Sequence, residues 1–250
     1  MYSDNHQNML EIAKQKISRS SLVLGIAYIL IGIVVLVATI LFYLGFFAIY
    51  NLEIWDFYFV SLVLVLLIYM FLVVFKSIYF FKLSRGYNYL ASEFSSVENF
   101  QTSATKNVSK YIKIGIISEL VLTFLFPLAI FAVLLLPLFL SIFLVPFIFL
   151  TLGFMEIKRL FSLLSKHQFY NGEFTNLILY SRTGVVAAFF LYAYGGVKFL
   201  EEMITEGFTG TFNDSFLIWI LIAGIILFIS QVIFAKGFYN LSKETHNITI

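Results

Sequence analysis

Residues 112–155 read IKIGIISELVLTFLFPLAIFAVLLLPLFLSIFLVPFIFLTLGFM. This run of 44 residues is too long for one crossing, because a helix rises about 1.5 Å per residue and the hydrocarbon core is about 30 Å thick. Lys113 lies at one end, and Lys158 with Arg159 follows the other, which favours both ends on one side of a membrane. Pro137 lies near the middle and can break a helix. The run therefore predicts a tight helical hairpin that turns near Pro137. A re-entrant hairpin that never fully crosses is the alternative.

The composition indicates that the whole chain resides in a membrane. Of its 250 residues, 61% are hydrophobic and 12% are charged, whereas a soluble domain is about 45–50% apolar and about 25% charged. The absence of cysteine excludes disulfides and thiolate metal sites. The net charge of +2 is too small to indicate nucleic acid as a partner.

The apolar runs predict an all-α polytopic membrane protein with about six transmembrane helices. A helix of about 20 apolar residues crosses the hydrocarbon core. We expect one membrane domain over residues 1–250. The predicted spans are 22–50, 57–81, 112–136, 138–155, 183–199 and 216–235.

A short motif, F-x-x-L-S-[K/R], recurs where three of these runs end, at residues 80–85, 161–166 and 238–243. Regular recurrence at this scale is typical of an internal repeat. We expect three consecutive two-span hairpins, over residues 10–92, 105–173 and 177–250. In each copy the phenylalanine should lie at the membrane interface, the serine should end the helix and the cation should lie in a positive loop.

Basic residues are distributed unequally between the two sides of the predicted topology. Of the 16 Lys and Arg residues, 15 fall on the side that holds both termini, and Lys198 alone falls on the other. The side of Lys198 instead carries acids, namely Glu53, Asp56, Glu201, Glu202, Glu206 and Asp214. Because positive loops stay in the cytoplasm, we expect a cell-membrane protein with both termini cytoplasmic.

Glu119 is an acid well inside an apolar run. A charge near the bilayer centre costs about 2.5–3.5 kcal/mol on insertion scales, so this carboxylate should face protein or water. Thr123 follows it on the same helical face, and Gln231 lies at about the same predicted depth. We expect these three residues to form a polar cluster with Lys76 or Lys236. The cluster could act as a proton or ion relay, or as a polar clasp between helices.

Small residues recur along two predicted spans. Gly25, Gly32 and Thr39 are seven apart in the first span. In the fifth, a four-residue spacing joins Gly184, Ala188, Tyr192 and Gly196. Small residues let helix backbones approach closely in lipid, so these stripes predict packing seams or a homodimer contact.

The connector after the second predicted span has an amphipathic pattern. Apolar side chains recur every three or four residues from Tyr87 and Leu90 to Val108, which is typical of one helical face. Such a segment could lie along the membrane surface or pack on the end of the bundle.

No catalytic, cofactor or metal site is predicted from the residue pattern. His6, His167 and His246 are isolated, and no serine lies in a nucleophile elbow. We therefore expect a non-enzymatic protein that acts by packing, oligomerisation or partner binding. Its expected partners are the lipid bilayer and a second copy or a membrane partner protein. The alternative is a small-solute or ion transporter or channel that uses Glu119.

Two short segments, Arg182-Thr183-Gly184 and Gly237-Phe238-Tyr239-Asn240-Leu241, lie at the ends of apolar runs. They resemble the short segments that separate the spans in a family of uncharacterised archaeal multi-pass membrane proteins. The resemblance implies a polytopic helical fold and no established activity, substrate or catalytic residue.

Overall fold

The computed structural model describes an all-helical chain. Its helices are α1 Tyr2–Ala48, α2 Leu52–Phe94, α3 Thr102–Phe131, α4 Leu136–Ser165, α5 Glu173–Glu206 and α6 Ser215–His246. Side chains are described for residues 8, 11–45, 57–90, 106–125, 145–161, 174, 176–198, 201, 205 and 216–245.

Four helices are long and apolar enough to cross a membrane. Within the described residues these stretches are Glu11–Gly45, Phe57–Leu90, Asn176–Lys198 and Phe216–Thr245. Their length and composition are those of a helical membrane protein. The middle of the run 112–155, which decides whether α3 and α4 also cross, lies outside the residues whose side chains are described.

Helices α3 and α4 pack against each other. Helix α3 ends at Phe131 and α4 begins at Leu136, so Pro137 lies in the first turn of α4, where a missing N–H costs least. A methyl group on Gly115 would lie 2.7 Å from Cγ of Leu150, and one on Gly153 would lie 3.0 Å from Ile112. The two glycines thus allow the helices to approach closely along an antiparallel contact.

Two helices continue well past the predicted spans. Helix α1 has 47 residues and α2 has 43, and α2 runs without interruption to Phe94. Tyr87 and Leu90 are buried in the core, not laid on a membrane surface. The end-packing interpretation of this connector is therefore the right one for its described part.

The chain divides into two compact units. The first consists of Met1–Tyr28, Leu72–Leu179 and Phe234–Ile250. The second consists of Ile29–Phe71 and Tyr180–Ile233.

In the first unit the six helices form a closed ring in chain order. Each neighbouring pair is joined by a side-chain contact or by a close approach at a glycine. The joining pairs are Ile17 and Gly86, Ser84 and Ser109, Ile112 and Gly153, Phe161 and Phe174, Ile178 and Gly237, and Ala235 and Gly25.

Five aromatic rings fill the centre of this ring of helices. Phe238 stacks on Tyr28 at 5.6 Å and meets Phe80, Phe154 and Phe234 with centroid separations of 5.7, 5.9 and 5.4 Å. Such tilted and edge-to-face pairs add to the burial of the rings themselves. The core of the first unit is thus a packed aromatic centre, which we call the aromatic cluster.

The phenylalanines of the repeated motif lie in the core of the first unit, and their predicted depth at the membrane interface stays a prediction. Phe80 and Phe238 are fully buried and Phe161 is 2% exposed. The prediction that the serine of the motif ends its helix is wrong for Ser84, because α2 continues to Phe94. The reason is that the helices remain bundled beyond their apolar runs, so the end of a run does not mark the end of the helix.

The second unit consists of parts of α1, α2, α5 and α6. Thr39 on α1 lies against Gly224 on α6, where a methyl group would meet the threonine side chain at 2.6 Å. The Thr39 hydroxyl donates to the carbonyl of Val35 at 2.8 Å and lies 3.0 Å from the Tyr192 hydroxyl. Because the threonine proton is already used, Tyr192 donates to Thr39 and ties α5 to α1.

The predicted small-residue stripes are packing seams for most of their length. On α1, Gly25 faces Ala235, and Gly32 faces Gln231. On α5, Gly184 faces Ser230, but Gly196 has nothing within 4 Å of an added methyl group. The homodimer interpretation of these stripes stays a prediction.

The contrast between Gly237 and Gly196 gives a stability prediction. An alanine methyl at Gly237 would lie 2.6 Å from Cγ1 of Ile178 and 3.2 Å from the carbonyl oxygen of Phe174, and a backbone atom cannot rotate away. We expect Gly237→Ala to lower the free energy of unfolding by about 1–3 kcal/mol. The matched control Gly196→Ala should be neutral or stabilise by up to about 1 kcal/mol, because alanine favours helix. Thermal unfolding of both variants in detergent tests this, and equal unfolding temperatures would contradict the close packing.

Candidate functional site

A buried ion pair joins α2 and α3 in the first unit. Nζ of Lys76 lies 2.5 Å from Oε1 of Glu119. The lysine side chain is 4% exposed and the glutamate side chain is 21% exposed. The antiparallel packing of the two helices brings the charges together, because Ser84 meets Ser109 two to three turns away along the same contact.

The ammonium of Lys76 also faces the aromatic cluster. Its Nζ lies 5.2 Å from the centroid of the Tyr28 ring, within the range of a cation–π interaction. Carboxylate and ring together offset a part of the cost of removing the lysine charge from water. The pair is therefore neutral as a unit and belongs to the packed interior.

The carboxylate of Glu119 is satisfied on one oxygen. Its Oε2 is buried and has no hydrogen-bond partner among the described residues. Thr123 donates to the main-chain carbonyl of Glu119 at 2.8 Å, not to the carboxylate. The unused oxygen can accept a further hydrogen bond.

The other two residues of the predicted cluster are placed differently. Lys236 is exposed on α6 and makes no ion pair within the described part of the chain. Gln231 belongs to the second unit, where its Cβ lies 3.0 Å from an added methyl on Gly32, and its Oε1 is buried without a partner in the described ranges. Of the five predicted residues, Lys76 and Glu119 are in side-chain contact, and Thr123 is linked to Glu119 through the backbone.

Two serine–serine hydrogen bonds were not foreseen from the sequence. The Oγ atoms of Ser84 and Ser109 lie 2.7 Å apart, and those of Ser18 and Ser242 lie 2.9 Å apart. We call these two contacts the serine staples. Their signal in the sequence is the dipeptide Ser-[Lys/Arg], which begins once on every helix, at Ser18, Ser84, Ser109, Ser165, Ser181 and Ser242.

Comparison with known proteins identified no related protein. No family model, no curated protein and no solved structure matches the chain. Within the described residues, no group of three or more His, Asp or Glu side chains could hold a metal ion.

Proposed function

We propose that this chain is a non-enzymatic integral membrane protein that acts through its packed helical body, by binding a second copy or a membrane partner. The observation that carries the proposal is the closed Lys76–Glu119 pair beside the aromatic cluster. Both charges serve the contact between α2 and α3, and the aromatic rings occupy the centre of the bundle. This arrangement suits a clasp better than a relay, which needs a continuous polar path.

The proposal includes six spans arranged as three hairpins with cytoplasmic termini. The hairpins are supported by a contact that recurs in each of them, in which a glycine of the second helix approaches an isoleucine of the first. The pairs are Gly86 and Ile17, Gly153 and Ile112, and Gly237 and Ile178. Supporting the orientation, the described side chains of the first unit include 13 Lys and Arg but four Glu. The resemblance to uncharacterised archaeal membrane proteins is compatible with this arrangement.

The exposed face of α2 supports partner binding. The most apolar window of α2 is 11% buried, against 39% for that of α1. Its outward side chains include Phe57, Val60 and Phe71, which are 67%, 65% and 69% exposed. Lipid or a neighbouring protein can cover such a face.

A photoactivatable phenylalanine analogue in place of Phe71 tests the proposal in native membranes. We expect cross-linking to a discrete protein, seen as one shifted band, with co-expressed copies of different tags revealing self-association. The buried position Phe154 is the matched control and should give no intermolecular band. Cross-linking of Phe71 to lipid alone would contradict partner binding through this face.

A transporter or channel is the second candidate, favoured by the unpartnered Oε2 of Glu119. It predicts ion or solute flux in liposomes that is lost in Glu119→Gln and kept in Glu201→Gln, whose residue lies in an exposed pair. If the Lys76–Glu119 pair is only a clasp, the wild type, Glu119→Gln and Glu201→Gln should all show no flux above that of empty liposomes. Flux that depends on Glu119 would replace the first proposal with the second.

A further inference from the structure

The serine staples place exposed cations in pairs on the outside of the first unit. Arg85 follows Ser84 on α2, and Lys110 follows Ser109 on α3. Both cations are exposed. The helices are antiparallel, because the contacts of residues 76 and 84 on α2 are to residues 119 and 109 on α3.

Helical geometry puts these two cations on the same side of the helix pair. Each step along an α-helix rotates the side chain by about 100°. In an antiparallel pair, the residue after each contact residue is therefore turned toward the same flank. Arg85 and Lys110 thus line one outer groove between α2 and α3.

A second groove between α6 and α1 repeats this arrangement. Lys243 follows Ser242 and Arg19 follows Ser18, and both cations are exposed. These helices are antiparallel as well, because Gly25 faces Ala235. The Lys243 ammonium also lies 4.7 Å from the Tyr239 ring centroid. Each groove therefore carries one arginine and one lysine.

Among the described residues, the cations of both grooves have no acidic partner. Arg19, Arg85, Lys110 and Lys243 make no ion pair within the ranges that the structure describes. The described part of the first unit has 13 cations and four acids, and one of those acids, Glu119, is already paired with Lys76. An anion from outside the chain can therefore bind without displacing an internal partner.

The grooves lie at the ends of the apolar runs. Arg19 is three residues before the run that begins at Leu22, Lys110 is two before the run at Ile112, and Arg85 is four after the run that ends at Phe81. These three separations are about one helical turn, or roughly 5 Å, which in a membrane is the depth of lipid headgroups. Lys243 is eight residues after the run that ends at Ala235, roughly 12 Å, but its ammonium lies over the ring of Tyr239, and tyrosines are enriched at headgroup depth.

We propose that each staple groove binds the phosphate of an anionic phospholipid in the leaflet that surrounds the first unit. The arginine donates a pair of parallel hydrogen bonds to the phosphate oxygens, and the lysine adds a mobile point charge. The serine staple fixes the separation of the two helices and hence of the two cations.

Native mass spectrometry of the full chain with phosphatidylglycerol and with phosphatidylcholine tests this inference. We expect retention of phosphatidylglycerol at two sites and weak retention of phosphatidylcholine. The double variants Arg85→Gln/Lys110→Gln and Arg19→Gln/Lys243→Gln should each weaken the affinity of one site roughly tenfold or more, so that one phosphatidylglycerol is retained in place of two. Arg85→Lys with Lys110 intact should restore most of the binding, since it keeps the charge.

Lys158→Gln is the matched control, because Lys158 is an exposed cation of the same unit outside both grooves. It should leave phosphatidylglycerol retention unchanged. An equal loss in this variant would show diffuse attraction and overturn the paired sites. Equal retention of the two lipids would overturn the anionic requirement. Inorganic phosphate that displaces phosphatidylglycerol at millimolar concentration would overturn a lipid as the occupant.

Discussion

Replacing Glu119 with leucine should lower the free energy of unfolding by about 3–5 kcal/mol, because it leaves the Lys76 ammonium buried without its counter-charge. The lysine side chain is 4% exposed, so water cannot take the place of the carboxylate. The Tyr28 ring at 5.2 Å compensates for a part of the loss. Chemical or thermal unfolding of the purified protein in detergent measures the change.

The matched control for this variant is Glu201→Leu. Glu201 also pairs with a lysine, Lys198, but both side chains are exposed, at 57% and 36%. Exposed pairs contribute about 0–1 kcal/mol, so this variant should unfold close to the wild type. Equal losses in Glu119→Leu and Glu201→Leu would show that burial of the Lys76–Glu119 pair has no energetic role.

Replacing Phe238 with alanine should cost about 3–5 kcal/mol, because it opens a cavity in the aromatic cluster. Phe238 is fully buried and contacts the rings of Tyr28, Phe80, Phe154 and Phe234. These rings come from four helices, α1, α2, α4 and α6. Movement of one neighbouring side chain therefore cannot fill the cavity that the Phe238 ring leaves.

Phe190→Ala is the control for the cavity, since Phe190 is 66% exposed. Its removal leaves no internal void, and the loss should be below about 1 kcal/mol. Unfolding temperatures of the two variants are to be compared in the same detergent. A larger loss at Phe190 than at Phe238 would contradict the aromatic cluster as the core of the first unit.

The helical fold could be predicted from the apolar runs, but the length of the helices could not. The run 112–155 indicated two helices with a break near Pro137, and α3 and α4 end and begin at Phe131 and Leu136. Helix α2 continues 13 residues beyond the predicted span, to Phe94. Hydropathy reports contact with lipid, whereas this extension is stabilised by packing inside a bundle, which depends on residues far away in the chain.

The sequence predicted some residues of the candidate site, but it did not predict which of them are in contact. Hydrophobic context alone marked Glu119 as a residue that needs a partner. The choice between Lys76 and Lys236 depends on the rotation and register of α2 and α6, which depth along a span does not determine. The sequence also concealed the serine staples, because a serine is common in helices and shows its role only when the facing helix is known.

The most direct test of the clasp is the stability of the double variant Lys76→Met/Glu119→Leu in detergent. If the two charges serve only to hold α2 against α3, apolar side chains of similar size should replace them as a pair. We expect the double variant to unfold within about 1.5 kcal/mol of the wild type, or to be more stable, while Glu119→Leu alone loses about 3–5 kcal/mol. A double variant that loses as much stability as the single variant would contradict the clasp.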